Sequence, residues 1–220
     1  CEKLKLIYNG VELPDSLPDR AQARVKLGLD PEALVGLTVA NLIAYKGHTD
    51  LIRALATVST ELPPEWRFLF AGRDQGLGSK LKRLIAELEI GPHVQFLGDY
   101  SDVATLFAAA DFGVLSSWEE GFSNVVLEAL AAGLPMIVTG VGGNPEAVRD
   151  GSTGLVVPPH DPEALGRAIL RLARDAQLRE QLGQAGSKYV RENFSIESCV
   201  EAHHALYEEL LAAPKRRGDG

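Results

Sequence analysis

From about Leu34 onward, short apolar runs alternate with longer stretches in which apolar residues recur at helical spacing. The runs Val35–Leu42, Arg67–Ala71, Val94–Leu97, Phe112–Leu115, Met136–Thr139 and Gly154–Val157 are each bounded by turn residues. Continuous apolar runs of this length suit strands covered on both faces. Between them the periodicity predicts helices over about 48–61, 78–89, 101–110, 123–133 and 144–149. This alternation implies an α/β fold: a Rossmann-like, doubly wound parallel sheet of about six strands with right-handed crossovers. After Asp161-Pro162-Glu163 the strands stop, and helices are predicted over about 162–174, 175–192 and 196–212. Asp161 supplies an N-cap there and Pro162 the first helical position. Leu4-Lys5-Leu6-Ile7-Tyr8 and the following Asn9-Gly10 read as a strand and turn already in mid-fold, as in a piece of a longer chain. One domain is expected over residues 1–213, followed by a frayed tail over 214–220.

Charge narrows the classes. The 220 residues carry a net charge of −8 with no basic stripe, which argues against a nucleic-acid binder, whose affinity comes from neutralising phosphates. A small anionic ligand remains compatible, because a few local cations and helix N-termini hold a phosphate whatever the global charge. Cys1 and Cys199 form no C-x-x-C, so neither a disulfide framework nor a structural zinc site is expected, and a reducing, cytoplasmic setting fits. The five histidines show no metal-ligand spacing, and no metal is expected. No run approaches the roughly 18–20 apolar residues of a membrane span, and no secretory leader opens the chain. Lys215-Arg216-Arg217 reads as a solvated tail, with membrane contact the lesser alternative.

In an open parallel sheet, ligands bind beyond the carboxyl ends of the strands. The loops Asn41–Gly47, Gly72–Gly78, Gly98–Tyr100, Ser116–Ser123 and Thr139–Asn144 all fall there. Glu120 and Glu128 lie eight positions apart, Glu120 in Glu-Glu-Gly-Phe-Ser and Glu128 in the otherwise apolar Val125–Ala132. A carboxylate buried all round costs several kcal/mol unless it is hydrogen-bonded. The expectation is a pocket in which polar ligand groups, such as sugar or ribose hydroxyls, meet both acids. Ser123 reads as a helix N-cap, and Gly121 lets the backbone approach a ligand closely. Lys46-Gly47, just before a helix, suits a diphosphate. Each signal has an ordinary alternative: a helix-dipole acid for Glu120, an internal salt bridge for Glu128, a surface cation for Lys46. Arg73 is either a second phosphate ligand or part of a turn with a local ion pair.

In their order along the chain these residues resemble the C-terminal, donor-binding domain of GT-B-fold retaining glycosyltransferases of family four. The resemblance runs through Asn9-Gly10-Val11-Glu12, Tyr45-Lys46-Gly47-His48, Val94–Gly98, Leu106–Asp111, the Glu120–Glu128 pair, Val141–Glu146 and Gly151–Pro159. It implies that Glu128 binds the ribose of the nucleotide and that Glu120 faces the transferred sugar. Backbone N–H groups of Gly121, Phe122 and Ser123 would lie nearby, Lys46 would neutralise the diphosphate, and Leu97 would offer its backbone to the base. Five residues before Lys46 the family often has a phosphate-binding arginine; here the position is Asn41, so that charge is missing or comes from elsewhere, Arg73 being the candidate.

The implied reaction moves a sugar from a UDP-, GDP- or ADP-sugar to an acceptor with retained configuration, in polysaccharide, lipopolysaccharide or glycolipid synthesis. An acceptor sugar or lipid-linked glycan would be held by an N-terminal domain outside these residues, with peripheral membrane contact in the complete protein. This chain alone is then expected to be inactive. A nucleotide-sugar epimerase of the same architecture and a non-catalytic sugar-nucleotide-binding module are the alternatives. A pyridoxal-phosphate phosphorylase finds no support in the residues.

Overall fold

The computed structural model describes residues 4–13 and 16–212. Six parallel strands form one sheet, in spatial order β3-β2-β1-β4-β5-β6. In chain order the elements are α1 (Arg20–Lys26), β1 (Val35–Val39), α2 (His48–Val58), β2 (Arg67–Ala71), α3 (Gly78–Glu87), β3 (Val94–Gly98), α4 (Val103–Ala109) and β4 (Phe112–Leu115). Then come α5 (Asn124–Ala131), β5 (Met136–Thr139), α6 (Asn144–Ala147), β6 (Leu155–Val157), α7 (Pro162–Arg174), α8 (Ala176–Asn193) and α9 (Ile196–Ala212).

Strand side chains alternate between the faces. Phe68 and Phe70 of β2 join one core, with Ile52 and Leu55 of α2 and Ile169 of α7. Leu69 and Ala71 join the other, with Leu106 of α4, Leu127 and Leu130 of α5 and Val190 of α8. The doubly wound sheet expected from the pattern is therefore present. Asp161 accepts from the Ala164 N–H at 2.8 Å and caps α7 as expected.

Two expectations need correction, and one helix has no expectation to match. Leu4–Tyr8 is not a strand: Leu4 and Leu6 stand in solvent, and this segment meets the rest of the backbone through a bridge between Val11 and Ser195. α1 carried no readable apolar stripe, because its buried residues are Ala23 and Arg24. The Arg24 guanidinium donates to the carbonyls of Ala109 and Pro31 and pairs with Asp111 at 2.9 Å, while Asp111 also accepts from the Val35 N–H. Burial and the neighbouring Arg20 pull the Arg24 pKa below its ordinary value, and Asp111 opposes them. This polar staple fixes α1 against α4 and the start of β1. The second correction concerns the run around Glu128, described with the site. The expected tail over 214–220, and Cys1, lie outside the described residues.

Candidate active site

Because every strand runs parallel, the five loops named from the sequence share one edge of the sheet. Strand order reverses between β1 and β4, so the loops after these two strands flank a crevice at the topological switch point. After β1 the chain makes a 3-10 turn, Ala44–Lys46, and Gly47 takes a left-handed φ of 68° before α2. A Cβ on Gly47 would lie 1.8 Å from the Ser116 carbonyl. Only glycine permits both the turn and this approach.

The loop after β4 is stapled to that turn. The Ser116 hydroxyl donates to the Lys46 carbonyl at 3.1 Å, and the Trp118 N–H to the Tyr45 carbonyl at 2.7 Å. The Trp118 indole N–H donates to Asp50 of α2 at 2.7 Å. Held in this way, the Lys46 ammonium pairs with the Glu120 carboxylate, which also accepts from the Ser117 hydroxyl at 2.7 Å. From the far side, Gly142 at φ 51° lies so close that a Cβ there would meet the Glu120 carbonyl at 1.9 Å. The Gly143 N–H donates to the Gly121 carbonyl at 2.6 Å. Loops after β1, β4 and β5 thus form one interlocked rim.

Gly121 faces open space. Ser123 occupies the N-cap position of α5, but its hydroxyl makes no cap bond. The Phe122 ring turns away from the loop and packs on Tyr8 and Phe194, with ring centroids 5.1 and 5.3 Å away. Of Phe122, the backbone is what remains for the crevice.

Glu128 is not buried all round. The packed residues of α5 are Val126, Leu127, Ala129, Leu130 and Ala131, whereas Asn124 and Glu128 are exposed on its outer stripe. The apolar run hid a helical period, and the outward position fell to the acid. The Glu128 carboxylate has no salt-bridge or hydrogen-bond partner among the described residues. The surrounding protein still removes enough water to push its carboxyl above the ordinary value. An unpartnered, partly desolvated carboxylate about 6 Å along the helix from its start is a ready acceptor for ligand hydroxyls.

Asn41 works as a link between loops. Its side-chain oxygen accepts from the Arg73 N–H at 3.1 Å, and its carbonyl accepts from His48 Nε2 at 2.9 Å. His48 is 1% exposed. Burial holds its pKa below the ordinary value, which favours the neutral imidazole, and the nitrogen facing this carbonyl is the one that donates. The Arg73 side chain pairs with Asp99 at 2.8 Å, and Asp74 instead caps the start of α3 through the N–H groups of Gly76, Leu77 and Gly78. Leu97 sits where the β2–β3 register slips: Phe70 pairs with Phe96 and Ala71 with Gly98.

Sequence reasoning missed Ser117, Asp50, Trp118 and Gly142. Only Ser117, a hydroxyl three residues before Glu120, carried a readable signal. A groove of about 760 Å³ lined by Gly133, Gln184, Lys188 and Arg191 lies instead at the amino ends of the strands. No group of three His, Cys, Asp or Glu suited to a metal occurs among the described residues, and no described helix is long and apolar enough to cross a membrane.

A switch-point crevice of this design on a six-stranded parallel sheet defines a Rossmann-like half of the GT-B architecture. The chain matches the family of glycosyl transferases group 1 over residues 19–189 and belongs to it. A D-inositol 3-phosphate glycosyltransferase of Streptomyces avermitilis is 34% identical, the match covering 98% of this chain and 48% of that protein. An N-acetyl-alpha-D-glucosaminyl L-malate synthase of Bacillus anthracis is 30% identical over 90% of this chain and 51% of that protein. Among solved structures, sucrose-phosphate synthase of Thermosynechococcus elongatus superposes with a TM-score of 0.85 at 32% identity, covering 96% of this chain and 53% of that one. Anabaena HepE in complex with UDP and glucose gives 0.86 at 26% identity, covering 93% and 57%. The chain therefore spans about half the length of the relatives it matches.

Proposed function

We propose that this chain is the donor-binding half of a retaining glycosyltransferase that moves a sugar from a UDP-, GDP- or ADP-sugar to a sugar or lipid-linked acceptor. The observation that carries the reading is the meeting of Lys46 and Glu120 at the switch point, with the unpartnered Glu128 on the next helix. In this reading Lys46 leaves Glu120 for the diphosphate, where its charge opposes the negative charge that builds as the sugar departs. Glu120, released from its cation, accepts from hydroxyls of the transferred sugar, while Glu128 accepts from the ribose. First-turn amides of α5, beside Gly121, Phe122 and Ser123, add positive potential. Leu97, at the register slip, presents its backbone to the base. Asn41 serves by bracing the Lys46 loop, and Arg73 joins the phosphates only by leaving Asp99. No metal takes part.

Retaining glycosidases place two carboxyl groups roughly 5 Å apart as nucleophile and acid/base. With Glu128 assigned to ribose, Glu120 has no such companion, which favours front-face substitution with the leaving phosphate accepting the acceptor's proton. The acceptor side belongs to a second body. The exposed apolar residues Leu4, Leu6, Val200, Tyr207, Leu210 and Leu211 and the half-length match to the relatives both support one. A cytoplasmic setting, with peripheral membrane contact of the complete protein, agrees with this chemistry.

Thermal-shift titration of this chain with UDP-, GDP- and ADP-sugars tests the donor reading, since a bound ligand raises Tm by mass action. One base class raising Tm supports it. No shift with any of them at millimolar concentration overturns it. Product analysis of the complete protein with a labelled sugar nucleotide then separates transfer from epimerisation.

A further inference from the structure

Besides the Lys46–Glu120 pair, four contacts tie the acidic loop Ser116–Ser123 to the cationic turn and the helix after it: Gly47 against the Ser116 carbonyl, Ser116 to Lys46, Trp118 N–H to Tyr45, and the Trp118 indole to Asp50. The first three use at least one backbone group. The last joins two side chains and reaches past the turn into α2, a helix packed firmly on α7 and the sheet. Asp50 is buried, and one of its oxygens lies 2.7 Å from the indole nitrogen. A buried carboxylate in the first turn of a helix is expensive unless it is bonded, and the indole N–H supplies that bond. On the outer side the Trp118 ring lies against His160, centroids 4.7 Å apart, in the turn between β6 and α7. Trp118 is thus gripped between α2 and that turn, two residues before Glu120.

We propose that Asp50 and Trp118 form a strut that positions Glu120 for the transferred sugar. Neither residue touches the reacting atoms; both are positioning residues, and the inference rests on the donor-site reading above. The strut fixes the height of the loop over the turn, so that the Glu120 carboxylate stays in place after Lys46 moves to the diphosphate. Without it, Ser116 and the Trp118 backbone still hold the base of the loop, but its tip gains freedom at the point where the sugar must be aligned. Misplacement of this kind is felt in the chemical step more than in binding. Nucleotide contacts through Glu128 and Leu97 lie on other elements and persist.

The test is a double-mutant cycle in the complete protein, with kcat, donor KM and Tm measured for Asp50→Ala, Trp118→Phe and both together. Trp118→Phe keeps an aromatic ring against His160 and removes the indole donor together with one ring of the side chain. Each single variant is expected to lower kcat roughly tenfold or more, the scale of one hydrogen bond to a charged acceptor, with donor KM changed much less. The double variant should be no worse than either single, since both remove the same bond. Asp50→Asn, which keeps an acceptor oxygen for the indole, should recover most of the loss. Should Asp50→Ala fail to fold, Trp118→Phe against Asp50→Asn carries the test. Wild-type kcat in Trp118→Phe, or fully additive losses, overturns the strut. Lys46→Ala run beside the cycle separates the two failures: inactive Lys46→Ala with unaffected strut variants removes the strut alone, whereas active Lys46→Ala removes the donor-site reading beneath it.

Discussion

Two regions of this chain handle polarity in opposite ways. The rim formed by the loops after β1, β4 and β5 is dense with polar groups, and most of those described there are spoken for by a neighbouring loop. Helix α9 and the segment around Leu4 and Leu6 carry large apolar side chains that nothing described covers; Leu211 is 86% exposed, and α9 has no buried residue. A rim so tightly cross-linked needs no second body to hold its shape. Apolar side chains such as Val200, Tyr207, Leu210 and Leu211 left in solvent gain nothing from the water around them. In the proposed reading the rim builds the donor contacts within this chain, and the exposed apolar residues of α9 and of the Leu4 segment are where a second body would pack.

The sharpest way to break that contrast is at the rim. Lys46→Ala in the complete protein is expected to cut turnover on the order of 10²-fold or more, the scale of losing one preorganised charge-stabilising donor. Near wild-type steady-state kinetics would leave the rim without its proposed chemistry. Glu128→Gln should weaken nucleotide binding roughly tenfold, as expected for loss of a charged acceptor, and calorimetry reads this directly. The same variant should raise the Tm of the ligand-free chain at neutral pH. Its carboxyl has a folded pKa above the unfolded one, so the group favours the folded state when protonated and disfavours it once pH climbs through that raised value. Parallel stability–pH curves for wild type and Glu128→Gln would contradict this.

On α9, Val200→Asp and Leu210→Asp should change the stability of this chain by no more than about 0.5 kcal/mol, as for ordinary surface positions. They should destabilise the complete protein clearly, and comparing the two melting curves tests the asymmetry. A modest effect is expected outside both regions. Asp102 caps α4 and bonds Lys26 at 2.6 Å, chiefly through which its pKa falls to about 2. Asp102→Ala should cost about 1 kcal/mol, the usual cost of a lost cap. Because the folded pKa is depressed, that stability is present above the ordinary carboxylate range and lost as pH falls toward 2; acid titration of the variant should lack this component.

The strands were legible because burial on both faces leaves unbroken apolar runs, and Arg67–Ala71, Phe112–Leu115 and Met136–Thr139 fall at the expected residues. α1 was not, because an arginine fills its core position and is satisfied by carbonyls remote in sequence. The prominence of Glu120, Glu128 and Lys46 was legible from residue type and loop position. The apolar run Val125–Ala132 reads as buried all round, yet it has an outer stripe, only a few residues wide, and Glu128 lies on it. Asp50 and Trp118 left no trace, since their bond joins elements 68 residues apart and neither belongs to a local pattern. Asn41 looked like a missing charge and proves to be a brace, a role set by the loop after β2 rather than by its own neighbours.

The proposed function turns on the Lys46 side chain exchanging Glu120 for the diphosphate of a nucleotide sugar. Calorimetric titration of this chain with the nucleoside diphosphate whose sugar raises Tm, and with the matching nucleoside, tests it most directly in wild type and Lys46→Ala. The account predicts that wild type prefers the diphosphate by a wide margin and that Lys46→Ala loses most of that preference while binding the nucleoside as before. Equal preference for the diphosphate in both proteins would contradict it.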